Sequence, residues 1–258
     1  MANDIAVYWQ PGCTSCLRVK QFLADHGVAF ASHNVLEDAV ARERLAALGL
    51  RTVPVVTKGE AFVFAQELDD VAEFLGLPKR GARLPVPELA QRIEALLEIA
   101  AAMAGKLPAE HLQTSIPKRE RTYADIAYHI GQISVGFLDA ARGATLTYQH
   151  FERRPPADLS SADVLVDSLT GIHADFRSWW TASCKHLPET LNTYYGRQPL
   201  HQVCERTAWH MAQHCRQLEH ILGQIGIGGG PWLTVGVLEG LPLPRDVWDA
   251  EIEPPKDA

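Results

Sequence analysis

Cys13 and Cys16 stand two residues apart, with Thr14 and Ser15 between them, directly after the breaker run Gln10-Pro11-Gly12. A thiolate is the reactive form of cysteine. A sulfur at a helix N-terminus is stabilised as the anion by unpaired backbone N–H groups and by the helix dipole. Cys13 holds that position in the expected helix, and Cys16, three residues on, shares its face within reach to resolve a mixed disulfide. Thr52-Val53-Pro54 ahead of a later strand strengthens the redox reading. A Cys-x-x-Cys pair by itself also suits two buried structural thiols, or half of a zinc site whose other ligands lie elsewhere.

His210 and His214 are four apart in a helical pattern, so their rings project from one face, and Val203, Thr207, Gln217 and Ile221 extend the stripe. His129 shares a matching stripe with Ile126, Ile133 and Phe137 on another helix. Three neutral imidazoles can hold a divalent metal (zinc, nickel or iron) and leave positions open for water or substrate. For any one of them the plain alternative is a hydrogen-bonded core histidine. Asp125, one turn before His129, is either an acceptor that orients that ring or a solvated acid at a helix start. His220 lies about 80° round the helix from His210, off the stripe. Trp179 and Trp180 read as core packing more readily than as pocket lining. Cys184, Cys204 and Cys215 read as buried small hydrophobes.

The elements that must position these groups fall into two kinds. Residues 4–9 read as a buried strand and 13–27 as a helix. Strands over 28–35 and 53–57, a helix over 37–48, a turn at Lys58-Gly59-Glu60, a short strand near Phe62 and a helix over 67–75 complete a β-α-β-α-β-β-α order. That order suits an open sheet with helices on its faces, ending at Gly76-Leu77-Pro78. Residues 79–87 are basic and full of breakers, so the sequence predicts a first domain over 1–78 and a linker over 79–87. Beyond it lie four long helical segments, 88–104, 123–142, 161–183 and 200–224, with prolines between them and a loop of about 18 residues between the second and third. These predict a four-helix bundle over 88–225. The apolar tail, 226–258, opens on Gly228-Gly229-Gly230-Pro231 and is expected to dock on the bundle or between the domains.

The first part resembles the glutaredoxin family, within the thioredoxin fold, through Tyr8-Trp9-Gln10-Pro11-Gly12-Cys13-Thr14-Ser15-Cys16, Thr52-Val53-Pro54 and Asp69-Asp70 heading a helix. The resemblance covers residues 4 to about 77. It implies that Cys13 is the nucleophile, Cys16 the resolving thiol, and Pro54 a cis-proline whose neighbour Val53 offers backbone groups to a low-molecular-weight thiol such as glutathione. Asp69 would receive the far end of that peptide. A trans-proline opening a strand and a simple helix cap are the plain alternatives for Pro54 and Asp69. Gln10 stands where the family usually has a basic residue, Thr14-Ser15 replaces Pro-Tyr, and Gln66-Glu67 occupies the place of a glycine pair. These departures admit another thiol or a protein partner beside glutathione.

The second part resembles the DinB-like metal-binding four-helix bundles over residues 85 to about 225. Tyr123-Ala124-Asp125-Ile126-Ala127-Tyr128-His129-Ile130 and His210-Met211-Ala212-Gln213-His214-Cys215-Arg216-Gln217-Leu218 carry the likeness. The family takes one metal ligand from its second helix and two from its fourth, which match His129, His210 and His214. Cys215 stands where arginine is commoner. Several relatives are thiol-dependent transferases or isomerases, so the resemblance implies a metal that polarises a thiol or substrate.

The chain has 258 residues, 47% of them hydrophobic, and a formal charge of −7, so it can bury a large core and lacks the basic character of a nucleic-acid binder. Five cysteines are too sparse for a secreted disulfide framework. With no membrane-length apolar run and no leader over Met1-Ala2-Asn3-Asp4, the expectation is a cytoplasmic protein without membrane or nucleic-acid partners. Function is expected to be that of a thiol-disulfide oxidoreductase or thiol-dependent transferase acting on small-molecule or protein disulfides. The competing class is a non-catalytic redox- or metal-sensing protein. A third reading makes the bundle a dimerisation element and the protein a homodimer.

Overall fold

A computed structural model describes residues 4–117, 121–228 and 232–249; Met1, Ala2, Asn3 and the Gly229-Gly230-Pro231 part of the tail opening lie outside the described residues. The chain divides into two compact units: residues up to 82 joined by the segment from 244, and residues 83–243.

The first unit is built on β1 (Ile5–Trp9), α1 (Thr14–Asp25), β2 (Ala31–Asn34), α2 (Ala39–Ala47), β3 (Val55–Lys58), β4 (Ala61–Phe64) and α3 (Leu68–Leu75). Its sheet runs β2-β1-β3-β4, with β1 parallel to β2 and antiparallel to β3, and with Val7 opposite Val56 and Tyr8 opposite Val55. The apolar run of β1 is buried from Ala6 to Trp9, as its unbroken hydrophobicity dictates. Val7, Val19, Leu23, Val55 and Val56 form the centre of the core. β2 begins three residues later than the sequence predicts. The Val28 N–H closes α1 by donating to Leu23 (2.9 Å), after Gly27 turns with φ +66°, so the residues before Ala31 are spent on the helix end.

The second unit contains four long helices, α4 (Val86–Ala104), α5 (Tyr123–Ala141), α7 (Asp163–Ser183) and α8 (Leu200–Gln224), and the one-turn α6 (Gln149–Glu152). Helices α4 and α5 each pack against both α7 and α8, and meet each other across the middle. α4 starts at Val86, inside the stretch read as a linker. Pro87 sits in its first turn, where a missing N–H breaks no helical bond. Phe137, Phe176 and Trp179 pack ring against ring at 5.4–6.2 Å, so Trp179 is core, while Trp180 is half-buried.

One set of elements was not anticipated. β5 (Thr145–Leu146), β6 (Thr190–Thr193) and β7 (Gly196–Pro199) form a small sheet in the order β5-β6-β7. Gly196, at φ +113°, makes the β6–β7 turn, and the Thr193 hydroxyl donates to its carbonyl (2.6 Å). α5 approaches this region closely at Gly136, where a Cβ would lie 2.7 Å from Leu146 and 3.2 Å from His150.

The tail is divided. Trp232 and Leu233 donate backbone N–H bonds to Glu219 of α8, and α9 (Val235–Leu238) follows. From Pro244 the chain belongs to the first unit, lying along α1. The Arg245 N–H donates to Gln21 (2.7 Å), Gln21 donates to Asp246 (2.6 Å), Lys20 pairs with Asp249 (2.6 Å), and Arg245 pairs with Asp25. Trp248 is buried within this strap.

Candidate functional site

In the first unit, Cys13 is the N-cap of α1, with extended backbone, and its sulfur accepts a hydrogen bond from the Cys16 N–H at 3.1 Å. Such a sulfur at a helix start is held by a donor that favours the anion. Cys13 and Cys16 are joined as a disulfide, with Cα atoms 5.1 Å apart. Their exposures differ: Cys13 is partly open, whereas Cys16 is wholly buried. That asymmetry suits an attacking sulfur and a sheltered resolving one.

The Val53–Pro54 peptide is cis, and both residues are buried. Gln66, read from the sequence only as a departure from a glycine pair, is a buried connector. Its side chain donates to the Val53 carbonyl (3.2 Å), and its own carbonyl accepts from the Arg18 guanidinium (2.7 Å). The proline loop is thereby tied to the helix that carries the cysteines. Asp69 lies in the first turn of α3, partly exposed, where an acid suits the dipole; the cap position belongs to Glu67.

In the second unit, His129 of α5 and His210 and His214 of α8 converge, each offering a ring nitrogen within 4.8 Å of the others, and all three are buried. The His129 ring meets those of His214 and His210 edge-on at 4.7 and 5.5 Å. Helical spacing creates the pair on α8, and packing of α5 on α8 delivers the third ring. His214 Nδ1 is 2.7 Å from Gln217 Oε1. An amide oxygen only accepts, so Nδ1 carries the proton and Nε2 presents its lone pair. That lone pair points toward His210 Nε2, 3.2 Å away. Three buried imidazoles with converging nitrogens, one of them with its tautomer set by Gln217, fit a divalent cation such as zinc.

Two expectations for this unit need correction. Asp125 is neither a solvated acid nor shown oriented on His129. It is buried, closes a capping box with Thr122 (2.8 and 3.2 Å) and accepts from Arg154 (2.6 Å). Cys184 is exposed, because it falls at the C-cap of α7, where the helix end reaches the surface. Cys204 and Cys215 are buried as expected, and desolvation pushes both thiols far up, out of reach of the anion. His220 is exposed.

Residues passed over in the sequence also surround the triad. The Phe151 ring touches His129 (6.0 Å) and His210 (5.6 Å), and Arg206, one turn before His210, places its guanidinium 5.2 Å from that ring. The available signal was the i, i+4, i+8 series Arg206, His210, His214.

Residues 5–63 match the family model described as Glutaredoxin. The glutaredoxin-like protein NrdH of Lactococcus lactis subsp. cremoris (strain MG1363) is 34% identical over 61 residues, covering 24% of this chain and 83% of the relative. That of subsp. lactis (strain IL1403) matches to the same extent, again 34% over 61 residues. Among solved structures, a mutant of the thioredoxin-like protein BC3987 is 32% identical, with a TM-score of 0.28, over 29% of this chain and 97% of the other. Among the described residues no helix is long and apolar enough to cross a membrane.

Proposed function

We propose that this chain, which belongs to the glutaredoxin family, is a thiol-disulfide oxidoreductase whose second unit is a DinB-like, metal-binding bundle that receives the thiol or thiol adduct handled by the first. The observation that carries the redox part is the pairing of a partly open Cys13 sulfur, supported by the Cys16 N–H, with a fully buried Cys16.

In the reduced protein, the Cys13 thiolate attacks one sulfur of a substrate disulfide, forming a mixed disulfide and expelling the other sulfur as a thiolate that takes up a proton. Cys16, deprotonated, then attacks Cys13, releases the second substrate thiol and leaves the Cys13–Cys16 disulfide. Two equivalents of an external low-molecular-weight thiol such as glutathione reduce that disulfide and close the cycle. The cis Val53–Pro54 segment, tied through Gln66 and Arg18 to the helix that carries the pair, is the proposed docking edge for the thiol-bearing peptide, with Asp69 receiving its far end.

In the second unit His129, His210 and His214 would hold the metal, with Gln217 fixing the His214 tautomer. The bound cation would supply Lewis-acid polarisation of a thiol or carbonyl. The protein's own part there is to keep three nitrogens unprotonated and sheltered.

The test is steady-state reduction of a small mixed disulfide with glutathione and a regenerating system. Wild type should turn over many times and the Cys13→Ser variant not at all. A single stoichiometric reaction from wild type overturns the enzymatic reading in favour of a sensor. Metal content of the purified protein beside His210→Ala tests the second unit: the expected result is about one equivalent, lost in the variant.

A further inference from the structure

The loop that enters β3 is held by two consecutive residues that follow β4. The Ala65 N–H donates to the Pro54 carbonyl (3.0 Å), and the Gln66 side chain donates to the Val53 carbonyl (3.2 Å). Proline has no N–H, so the peptide joining Val53 to Pro54 offers its carbonyl alone for hydrogen bonding, and Gln66 holds it. The Gln66 backbone carbonyl accepts in turn from the guanidinium of Arg18, two residues after Cys16 on α1 (2.7 Å). Gln66 is 1% exposed and Arg18 4%, so these bonds are sheltered from water.

The sheet brings this linkage to the redox pair. β1 and β3 are antiparallel with Tyr8 opposite Val55, so the chain leaving β1 toward Cys13 and the chain entering β3 from Val53 and Pro54 lie at one end of the sheet. Cys16 and Val53 belong to one buried cluster, and Cys13 packs against it. Engaging one lone pair of the Val53 carbonyl fixes the peptide plane, and with it the direction in which the Val53 backbone faces. A disulfide whose halves are peptides has N–H and C=O groups to lay along such an edge. A disulfide without amides has none.

We propose that Gln66 is a positioning residue that makes the first unit prefer peptide disulfides: by holding the Val53 carbonyl, it sets the backbone edge along which a thiol-bearing peptide lies while Cys13 attacks its sulfur. This rests on the redox reading given above, and deepens it by naming a residue that determines specificity. Gln66 acts through Val53, and the exchange chemistry stays with the two cysteines.

The reduced full-length protein is mixed with oxidised glutathione and, separately, with bis(2-hydroxyethyl) disulfide, and the second-order rate constant of each exchange is measured by acid quench. Each is divided by the rate constant of dithiothreitol with the same disulfide, which removes intrinsic reactivity. Wild type is expected to favour oxidised glutathione. Gln66→Met, close in length and without the donor, should lower that preference about fivefold, the scale of one neutral hydrogen bond, and leave the rate toward bis(2-hydroxyethyl) disulfide unchanged. A merely loosened fold would slow both exchanges alike and leave the preference intact, which overturns the assignment to Gln66. Wild type that exchanges with neither disulfide overturns the redox reading and this proposal together. Exchange with both and no preference for oxidised glutathione overturns the proposal and leaves Cys13 standing as the nucleophile. If Gln66→Met does not fold, the side-chain amide resonance of Gln66 in Cys16→Ser reads the same contact. It must shift when Cys13 carries glutathione and stay in place when Cys13 carries 2-mercaptoethanol, and equal behaviour in the two adducts overturns the assignment.

Discussion

The Cys16 N–H donates to the sulfur of Cys13 across 3.1 Å, so the backbone of the second cysteine steadies the side chain of the first. In the reduced protein this bond and the helix dipole act together on Cys13. Its thiol should titrate below the ordinary cysteine value of about 8.5. Thiolate absorbance in Cys16→Ser, which keeps the N–H, measures this directly. The same variant should accumulate a mixed disulfide at Cys13, visible by mass spectrometry. An ordinary titration would remove the basis for Cys13 as nucleophile.

Gln217 is not one of the three proposed ligands, yet its hydrogen bond to His214 sets which nitrogen of that ring is free. Replacing it with leucine leaves the ring able to choose its tautomer and rotate. Metal affinity, read by competition with a chelator, should drop about 10–100-fold while the helical circular dichroism stays unchanged. Unaltered affinity would mean that Gln217 has no share in positioning the ring.

Arg142 of α5 and Asp175 of α7 form a two-bond ion pair at 2.9 and 2.7 Å. The Arg142 hydrogen bond holds the Asp175 carboxyl below its usual range. A carboxyl depressed in the folded state stabilises above the unfolded value near 3.9, and that contribution is lost as pH falls through the lower folded value. Asp175→Asn should therefore cost under about 1 kcal/mol at pH 7, since both partners are well exposed, and the deficit should close toward pH 3. Urea titrations of both proteins at the two pH values decide it.

Trp248 is 5% exposed and is carried into the first unit by a strap held to Lys20, Gln21 and Asp25. Trp248→Ala should destabilise the protein by about 3–5 kcal/mol, the range for truncating a buried large aromatic. Thermal unfolding would show it as a large fall in midpoint. A loss under about 0.5 kcal/mol would mean that the strap is ornamental to stability.

The parts of this protein that sequence made legible are those whose signals are local. The cysteine pair sits beside its own breaker and helix, and His210 and His214 announce a shared face by their spacing. The matching apolar stripe around His129 marks a face on which a second helix can converge, and α8 is the helix that packs against α5. What escaped was set by distance or brevity. Strands of two to four residues, such as Thr145–Leu146 and Thr190–Thr193, are too short for a period to register. Lys20 and Asp249 are 229 residues apart, and no pattern in either segment names the other. Gln66 looked like a missing glycine, because its role as a connector depends on Arg18 and Val53 arriving from elsewhere. Cys184 was misplaced because burial at a helix end depends on where the helix stops.

Because the strap closes onto α1 only after the bundle's whole sequence has intervened, the order of synthesis matters. A ribosome exposes the cysteine helix early and supplies its tryptophan partner segment only after the bundle. The nascent redox module must wait, with one flank uncovered, while some 160 residues emerge between the unit's two pieces. Cutting the gene at the apparent end of the redox module would therefore yield a fragment that keeps its chemistry-bearing loop but lacks a piece of its wall.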